Sequence, residues 1–267
     1  MGMIDHMYTK EDLITQLTAA GLKKTDTVML HTSMRAVGPV EGGADTLIDA
    51  FKEVLSEGLL VIPTHTWHTV PKTEPVFDVR SSVPCTGIVS EVAAFRKDGV
   101  RSLHPTHSVA AFGKDARSFV EGELFATSPA DPAGITGKLL KRNAKMFLLG
   151  VGHDRNTMLH GIEEMIDVPD RLTEDYRDIP VIDEEGFEHM AHVRRHACPI
   201  SVYYPKFEPV FIRFGLQKEY PVGNATAKIC ESTGICRLIH YIEMRTDRNL
   251  CCDNEPVDEQ LWKDYKG

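Results

Sequence analysis

Residues 148–164 read Leu-Leu-Gly-Val-Gly-His-Asp-Arg-Asn-Thr-Met-Leu-His-Gly-Ile-Glu-Glu. The pattern predicts a buried strand that ends at glycines, a polar turn, and a helix that carries His160 and Glu163. Residues three apart lie on one helix face, so the Glu163 carboxylate can sit beside the His160 imidazole. A carboxylate partner raises the basicity of a histidine and can fix its tautomer. We therefore expect His160 to act as a general base with Glu163 as its partner.

A solvated ion pair on a helix surface is the alternative interpretation of these two residues. Their position argues against it, because the helix follows a strand and a glycine turn. Such a helix begins near the carboxyl edge of a sheet, where α/β proteins bind ligands. Either Asp154 or Asn156 is expected to cap the helix.

The segments before this stretch indicate the fold class. An apolar run at 27–31, a helix beginning at 42–43 and a second apolar run at 59–62 predict a βαβ unit, which favours a parallel strand pair. Residues 179–193 predict a β-hairpin around a polar turn. We expect an α/β fold with a mixed, largely parallel central sheet flanked by helices, a β-hairpin excursion, and a single domain over residues 1–267.

Less regular segments carry further predictions. Residues 68–86 contain several prolines and little periodicity, which predicts a long functional loop. Residues 206–219 are predicted to be helical, and residues 225–247 to combine a short helix with a strand at Leu238–Met244.

Composition excludes several classes of protein. The 267 residues are 42% hydrophobic and 26% charged, as in an ordinary globular chain. A formal net charge of −9 argues against nucleic-acid binding and leaves room for a cationic ligand. There is no apolar run long enough to span a membrane and no secretory signal pattern. The six cysteines form no Cys-x-x-Cys pair, so we expect a cytoplasmic protein with reduced thiols and no membrane partner.

The polar loop Ser33–Gly38 follows the first predicted strand and leads to a glycine-rich helix start. Free backbone amides and the helix dipole favour an anionic ligand at such a place. The loop matches neither the Walker nor the Rossmann pattern. A ligand-binding loop and a plain connecting loop therefore both remain open.

Several histidines occur in clusters that suggest metal binding at first sight. They are His65 and His68, His104 and His107, and the group His189, His192 and His196. A metal site would need several of them to converge with a carboxylate, and no recognised ligand spacing is present. We therefore predict no metal. His104 and His107 either line a pocket or satisfy backbone groups.

Residues 163–188 contain eleven Asp or Glu residues. A solvated surface explains such a run in many proteins. An acidic wall that attracts a polycation is the functional alternative, and the position directly after the predicted base favours it.

These segments together resemble the aminoglycoside 3-N-acetyltransferase family, the antibiotic acetyltransferases that do not use the GNAT fold. The resembling pieces fall in order over residues 8–245, nearly the whole chain. They are His31-Thr-Ser-Met-Arg-Ala-Val-Gly38, Pro63-Thr-His-Thr-Trp67, His104-Pro-Thr-His-Ser-Val-Ala-Ala-Phe-Gly113, Ser128-Pro129, and the stretch from Leu148 to Glu163.

The resemblance implies a fold of the family's own type, with acetyl-CoA as acetyl donor and an amine as acceptor. His160, assisted by Glu163, would deprotonate the amine as it attacks the thioester, without a covalent enzyme intermediate. The implied CoA-binding residues are His31, Thr32, Ser33, Met34, Arg35, Ala36, Val37 and Gly38, with Ser108 and Val109 in the same groove. The expected substrate contacts are Thr66, His104, Asp154, Glu164 and Asp167.

The expected acceptor is the 3-amino group of a 2-deoxystreptamine aminoglycoside. Acetylation of another primary amine, such as an amino sugar or a metabolite, is the first alternative. A histidine-ligated metal hydrolase and a non-catalytic CoA-binding protein are the others. The expected partners are the small-molecule amine and CoA, and the oligomeric state stays open with a homodimer as one alternative.

Overall fold

The computed structural model describes residues 6–70, 72–197, 200–246 and 254–267. The strands are β1 (Thr27–Thr32), β2 (Leu59–Pro63), β3 (Phe77–Asp78), β4 (Val100–Arg101), β5 (Val109–Gly113), β6 (Lys145–Leu149), β7 (Arg177–Ile182), β8 (Glu188–Val193), β9 (Gln217–Val222) and β10 (Ala225–Glu231). The helices are α1 (Lys10–Ala19), α2 (Met34–Val37), α3 (Gly43–Val54), α4 (Ile88–Phe95), α5 (Ala116–Val120), α6 (Ile135–Lys141), α7 (Thr157–Met165), α8 (Glu208–Arg213) and α9 (Ser232–Glu243).

A seven-stranded sheet in the order β4-β5-β2-β1-β6-β10-β9 forms the centre of the fold. The predicted mixed α/β class is confirmed. However, only β2, β1 and β6 pair in parallel, and the outer strands on both sides are antiparallel. The prediction that the sheet is largely parallel is wrong. The βαβ units are confined to the sheet centre, and antiparallel strands extend it on both sides.

The β9–β10 hairpin replaces two elements predicted from the sequence. The predicted helix over 206–219 ends with α8, and Gln217 already begins β9. A two-residue turn, Gly223-Asn224, joins the strands, with Gly223 at a φ of +61°. Glycine tolerates this left-handed conformation, and a Gly-Asn pair between two strands is a hairpin signal in the sequence.

The strand predicted at Leu238–Met244 is also wrong. This segment belongs to α9, whose buried residues recur at helical spacing: Ile235, Leu238, Ile239 and Ile242. Their period of three to four residues places them on one helix face against the sheet, whereas a strand would alternate.

Helices cover both faces of the central sheet. On one face, α1, α3 and α4 pack on a core that includes Leu17, Phe51 and Phe147. On the other, α5 to α9 pack on a core that includes Phe119, Ile162 and Phe211. Within the described part of the chain, no helix combines the length and apolar character needed to cross a membrane.

A second, three-stranded sheet contains the predicted hairpin. β7 and β8 pair antiparallel from Arg177 opposite Val193 to Ile182 opposite Glu188. β3, which lies inside the predicted loop 68–86, pairs in parallel with β7. The hairpin excursion is therefore confirmed, and it is tied to the rest of the chain through that loop.

Arg101 anchors the 68–86 segment to the central sheet. Its side chain is buried, and Nη1 donates to the carbonyls of Ser82 at 2.7 Å and Val79 at 3.3 Å. Nη2 donates to the Thr64 carbonyl at 3.2 Å, and the guanidinium lies 5.0 Å from the centre of the Phe77 ring. Burial lowers the pKa of Arg101 to about 10, so the group stays cationic at neutral pH.

Replacing Arg101 with methionine should reduce the free energy of unfolding by about 2–4 kcal/mol, because several buried carbonyls would lose their donor. Urea denaturation at neutral pH measures this change. Arg117→Met is the matched control: Arg117 is 74% exposed and pairs with Glu184, so its loss should cost less than ~1 kcal/mol. Equal denaturation midpoints for the two variants would contradict the anchoring role.

Candidate active site

Close backbone contacts fix the turn between β6 and α7. Gly150 has a φ of +68°, and a Cβ built there would lie 2.4 Å from the Cβ of Ala36. Glycine is therefore needed both for the backbone conformation and for the approach of the two segments. Asn156 accepts the Met158 amide at 3.2 Å and caps α7, so Asn156, and not Asp154, is the cap.

Parallel pairing brings two predicted segments to one edge of the sheet. Thr32 at the end of β1 pairs with Leu149 at the end of β6, and the Ser33 amide donates to the Leu149 carbonyl at 3.0 Å. The His31 ring reaches α7, where its Nε2 lies 3.3 Å from Thr157 Oγ1. The predicted CoA-binding segment and the predicted catalytic helix are therefore neighbours.

Helix α7 also packs closely against α6. A Cβ at Gly161 would lie 2.0 Å from Thr136 Cγ2, closer than any side chain allows. The residue after His160 must therefore be a glycine if α7 is to keep this position, which fixes where the imidazole is presented.

His160 and Glu163 lie beside each other as predicted, and two further residues join them. His160 Nδ1 is 3.3 Å from Glu163 Oε2, and the Glu163 side chain is 1% exposed. Arg171 Nε lies 2.6 Å from the same carboxylate oxygen, and the Tyr204 hydroxyl donates to it at 2.6 Å. The charge of Glu163 is thus shared among three partners. Helical spacing could not reveal either residue, because Arg171 lies beyond the end of α7 and Tyr204 comes from a distant segment.

The basicity of His160 depends on its burial and on Arg171 as well as on Glu163. Burial lowers the pKa of His160 below its usual value, Glu163 opposes this shift, and Arg171 adds to it. Glu163 raises the pKa of His160, as predicted, but desolvation of the imidazolium outweighs the carboxylate, so the net shift is downward. His160 is therefore neutral at pH 7 and can accept a proton.

Three groups contact His160 Nδ1: the Glu163 carboxylate, the Arg171 guanidinium and the Tyr204 hydroxyl. Glu163 can accept a proton from Nδ1, which leaves the Nε2 lone pair for a substrate. Arg171 Nη2, 2.5 Å from Nδ1, can only donate and favours the opposite tautomer. Whether His160 Nε2 is free to accept a proton therefore depends on which of these groups is hydrogen-bonded to Nδ1.

A second histidine–glutamate pair lies next to the first. His196 Nε2 is 3.2 Å from Glu164 Oε1, and the rings of His196 and His160 are 4.6 Å apart. The Ala130 amide donates to Glu164 Oε1 at 3.1 Å, and the Ser128 hydroxyl donates to Oε2. Burial raises the pKa of Glu164 to about 7. Only the fold brings His196 here, since it follows β8 in the sequence.

The predicted histidine clusters divide between two places. His65, His104 and His107 lie near His196, whereas His189 and His192 lie on the hairpin. The ring centre of His107 is 4.6 Å from that of His65 and 5.5 Å from that of His196. His189 pairs with Asp183 at 2.7 Å, and His192 stacks on Tyr176 on the hairpin. Among the residues that the structure describes, no three His, Cys, Asp or Glu side chains are arranged to hold a metal ion.

Two predicted substrate contacts are buried. His104 is 1% exposed: its Nε2 donates to the Ser128 carbonyl at 3.0 Å, and its Nδ1 accepts the His107 amide at 2.9 Å. Thr66 is fully buried and donates to the Pro105 carbonyl at 2.6 Å. His104 thus satisfies backbone groups, which was one of the two alternatives considered for it.

The predicted CoA-binding residues fall into two groups. Arg35 is exposed, and Thr32, Ser33, Met34, Ala36 and Gly38 are half-buried. His31, Val37, Ser108 and Val109 are buried. Ser108 Oγ donates to the Thr64 carbonyl at 2.7 Å. The accessible part of this set is therefore the loop after β1, which includes the short helix α2.

A cleft of about 330 Å³ opens beside the two pairs. Its charged lining consists of Glu163, Glu164, Asp167, Asp170, Arg171 and Arg194. Asp154 lies apart from this lining and pairs with Arg155 at 3.2 Å. The first part of the acidic run therefore faces a concave surface, as the acidic-wall hypothesis requires, with two arginines among the carboxylates.

These features define a class of site. A neutral histidine backed by a buried carboxylate can accept a proton, and a carboxylate-lined cleft attracts a cation. Together they suit an α/β enzyme that removes a proton from a cationic group and so makes it a nucleophile.

Comparison with known proteins identifies the family. Residues 29–245 match the family model of aminoglycoside 3-N-acetyltransferases. Aminoglycoside N(3)-acetyltransferase IV of Salmonella sp is 30% identical over 240 residues, 87% of this chain and 86% of the relative. The chain belongs to the aminoglycoside 3-N-acetyltransferase family, and the protein is an acyltransferase. The resemblance inferred from the sequence is confirmed.

Solved structures agree with this result. A variant of the aminoglycoside acetyltransferase AAC(3)-IVa in complex with apramycin has a TM-score of 0.76 and 29% identity, covering 93% of this chain and 96% of that one. The binary complex of AAC-IIIb with CoASH has a TM-score of 0.76 at 21% identity, covering 90% of this chain and 98% of that one. The second comparison shows likeness of fold.

The buried histidines predict acid sensitivity. Burial lowers the pKa of His31 and His65 to about 3 and that of His104 to about 4. The unfolded chain binds these protons below about pH 6.5, whereas the folded chain does not, so stability falls as the pH falls. Between about pH 7 and about pH 5, the free energy of unfolding should drop by about 2 kcal/mol, because the histidines outweigh the opposing proton uptake by buried Glu123 and Glu164, whose pKa values burial raises to about 7.

Urea denaturation at constant ionic strength across that range measures the drop. A midpoint that stays constant from neutral to mildly acidic pH would show that these histidines do not resist protonation in the folded protein.

Proposed function

We propose that the protein transfers the acetyl group of acetyl-CoA to the 3-amino group of a 2-deoxystreptamine aminoglycoside. The observation that carries the proposal is the contact of His160 with buried Glu163, a residue that lines an acidic cleft. Family membership and the likeness to an enzyme solved with apramycin support the class of acceptor. A single domain, a cytoplasmic location and a homodimer stay predictions.

The proposed reaction begins with a protonated amine, which has no lone pair for attack. The ammonium first loses one proton to solvent, which gives the free amine, and neutral His160 removes a second proton as the nitrogen attacks the thioester carbonyl. The nitrogen–carbon bond forms, and the carbon–sulfur bond then breaks with its electron pair leaving on the CoA sulfur. Glu163 stabilises the imidazolium that forms, in the way that a buried carboxylate orients a histidine base.

The loop after β1 is the proposed CoA-binding segment. Thr32 Oγ1 is buried and makes no hydrogen bond to a described residue, so a polar ligand atom or a water there would satisfy it. Arg35 is exposed in the same loop and can meet a phosphate. Val37, Ser108 and Val109 support this loop and the sheet from inside.

Acidic residues of the cleft are the proposed contacts of the amino groups. Glu164 and Asp167 line it directly, and Asp154 lies on the turn before α7. Carboxylates bind ammonium groups through charge-assisted hydrogen bonds. Thr66 and His104 are buried, so we assign them no direct contact with substrate.

Acetylation can be tested through the thiol that the reaction releases. With acetyl-CoA and a panel of 2-deoxystreptamine aminoglycosides, free thiol should appear in proportion to acetylated drug, with mass spectrometry identifying the modified amine. If none of the drugs on the panel causes thiol release above background, the proposed acceptor is rejected. Thiol release with other primary amines instead would select the alternative substrate class.

The assignment of the base has a separate test. His160→Ala should lower kcat by about 10²–10⁴-fold while calorimetry shows unchanged CoA binding, because a positioned base contributes that much. His240→Ala is the control, since His240 is exposed on α9, and should retain the kcat of the unmodified protein. An unchanged kcat in the His160→Ala variant would remove His160 as the base.

A further inference from the structure

The two histidine–glutamate pairs lie in one cluster. His160 and Glu163 form the first, and His196 and Glu164 the second, with the histidine ring centres 4.6 Å apart. Both glutamates sit side by side on α7. The His196 side chain is 17% exposed, the same fraction as that of His160. Both rings are therefore accessible from the same region.

His196 differs from the buried histidines that support the fold. His104 is 1% exposed and uses both ring nitrogens on backbone groups. His196 uses only Nε2, towards Glu164, and its Nδ1 makes no hydrogen bond to a described residue. One nitrogen is thus tied to a carboxylate while the other is free for a ligand, which is the arrangement needed to pass a proton through the ring.

Glu164 is equipped to receive such a proton. Its oxygens accept from Ser128 and Ala130 as well as facing His196. Burial raises the pKa of Glu164 to about 7 and, with nearby charges, holds the pKa of His196 well below its usual value. At neutral pH, the Glu164 carboxylate therefore binds a proton more strongly than the His196 imidazole does.

Other titratable groups surround His196. The groups that face it from the neighbouring segments are His160, His107, Arg171, His65 and His104. All of these are neutral or cationic at pH 7, and they disfavour an additional positive charge on His196. A proton that arrives at His196 therefore moves on to the carboxylate.

The proposed reaction has two protons to remove from nitrogen. An ammonium group must lose one to become a nucleophile, and the attacking amine loses another before the tetrahedral intermediate yields the amide. A single imidazole accepts one proton at a time. His160 alone would therefore have to release the first proton before it could accept the second.

We propose that His196 and Glu164 form a proton relay that removes the first proton from the bound ammonium, leaving His160 for the second. This inference rests on the proposed acetyl transfer. The ammonium N–H gives its proton to His196 Nδ1, and its electron pair stays on nitrogen. His196 Nε2 then gives its own proton to Glu164 Oε1, so the ring stays neutral and changes tautomer. Glu164 releases the proton to solvent after the acetyl group has moved.

The pH dependence of kcat/KM for the acceptor distinguishes the relay from a structural role. At neutral pH, His196→Gln should lower this quantity by about 10²-fold, because glutamine can bond Glu164 but cannot relay a proton. The deficit should shrink to less than about 10-fold as the pH approaches the pKa of the acceptor amine, since the amine then arrives deprotonated. His160→Ala should stay impaired across the same range, because the second proton still needs a base.

Three further variants make the test decisive. Glu164→Gln should show the same pH-dependent recovery as His196→Gln, and His189→Gln, on the hairpin and paired with Asp183, should behave as the unmodified protein. For His196→Gly, added imidazole should restore activity at neutral pH. Thermal denaturation and CoA calorimetry check folding and donor binding in each variant.

A deficit in His196→Gln that is equal at all pH values, or no deficit at all, would overturn the relay, as would a failure of imidazole to restore activity in a folded His196→Gly variant. These results are separate from the proposed function. If the unmodified protein acetylates aminoglycosides and the His196 variants match it, the acetyl transfer stands and the relay falls.

Discussion

The buried carboxylate of Glu163 is the group around which the site is arranged. It is 1% exposed and lies within 3.3 Å of His160, while Arg171 and the Tyr204 hydroxyl each approach it to 2.6 Å. A buried charge is tolerated only when partners of this kind compensate its desolvation. These contacts therefore compensate the buried charge of Glu163. They also fix the positions of α7, of the segment after it and of the helical turn around Tyr204 relative to one another.

Arg171 gives this arrangement a second property. By neutralising Glu163, it reduces the support that the carboxylate gives to an imidazolium at His160, and it adds a positive charge of its own nearby. The resting histidine is consequently neutral. In the proposed reaction, an acceptor that carries a positive charge into the cleft would meet a base that is already deprotonated, and the cleft carboxylates would offset the added charge.

The position of these groups also depends on close packing. Gly150 lets the turn after β6 approach Ala36, and Gly161 lets α7 lie against Thr136. A methyl group at either place would push the helix away from the sheet. Pairing of β1 with β6 then sets the loop after β1 beside the start of α7, which puts the proposed donor-binding and acceptor-binding segments at one edge.

Local sequence determined much of this protein: the strand–turn–helix around His160, the βαβ centre of the sheet, the hairpin at β7–β8, and the family. Patterns within short segments of the chain predict these features, because spacing fixes which side chains share a face. Tertiary structure alone decided the antiparallel sheet edges, the pairing of Glu163 with Arg171 and Tyr204, and the arrival of His196 next to His160. It also decided that His160 is less basic than its glutamate suggested, because desolvation depends on everything packed around a group and not on its neighbours in the chain.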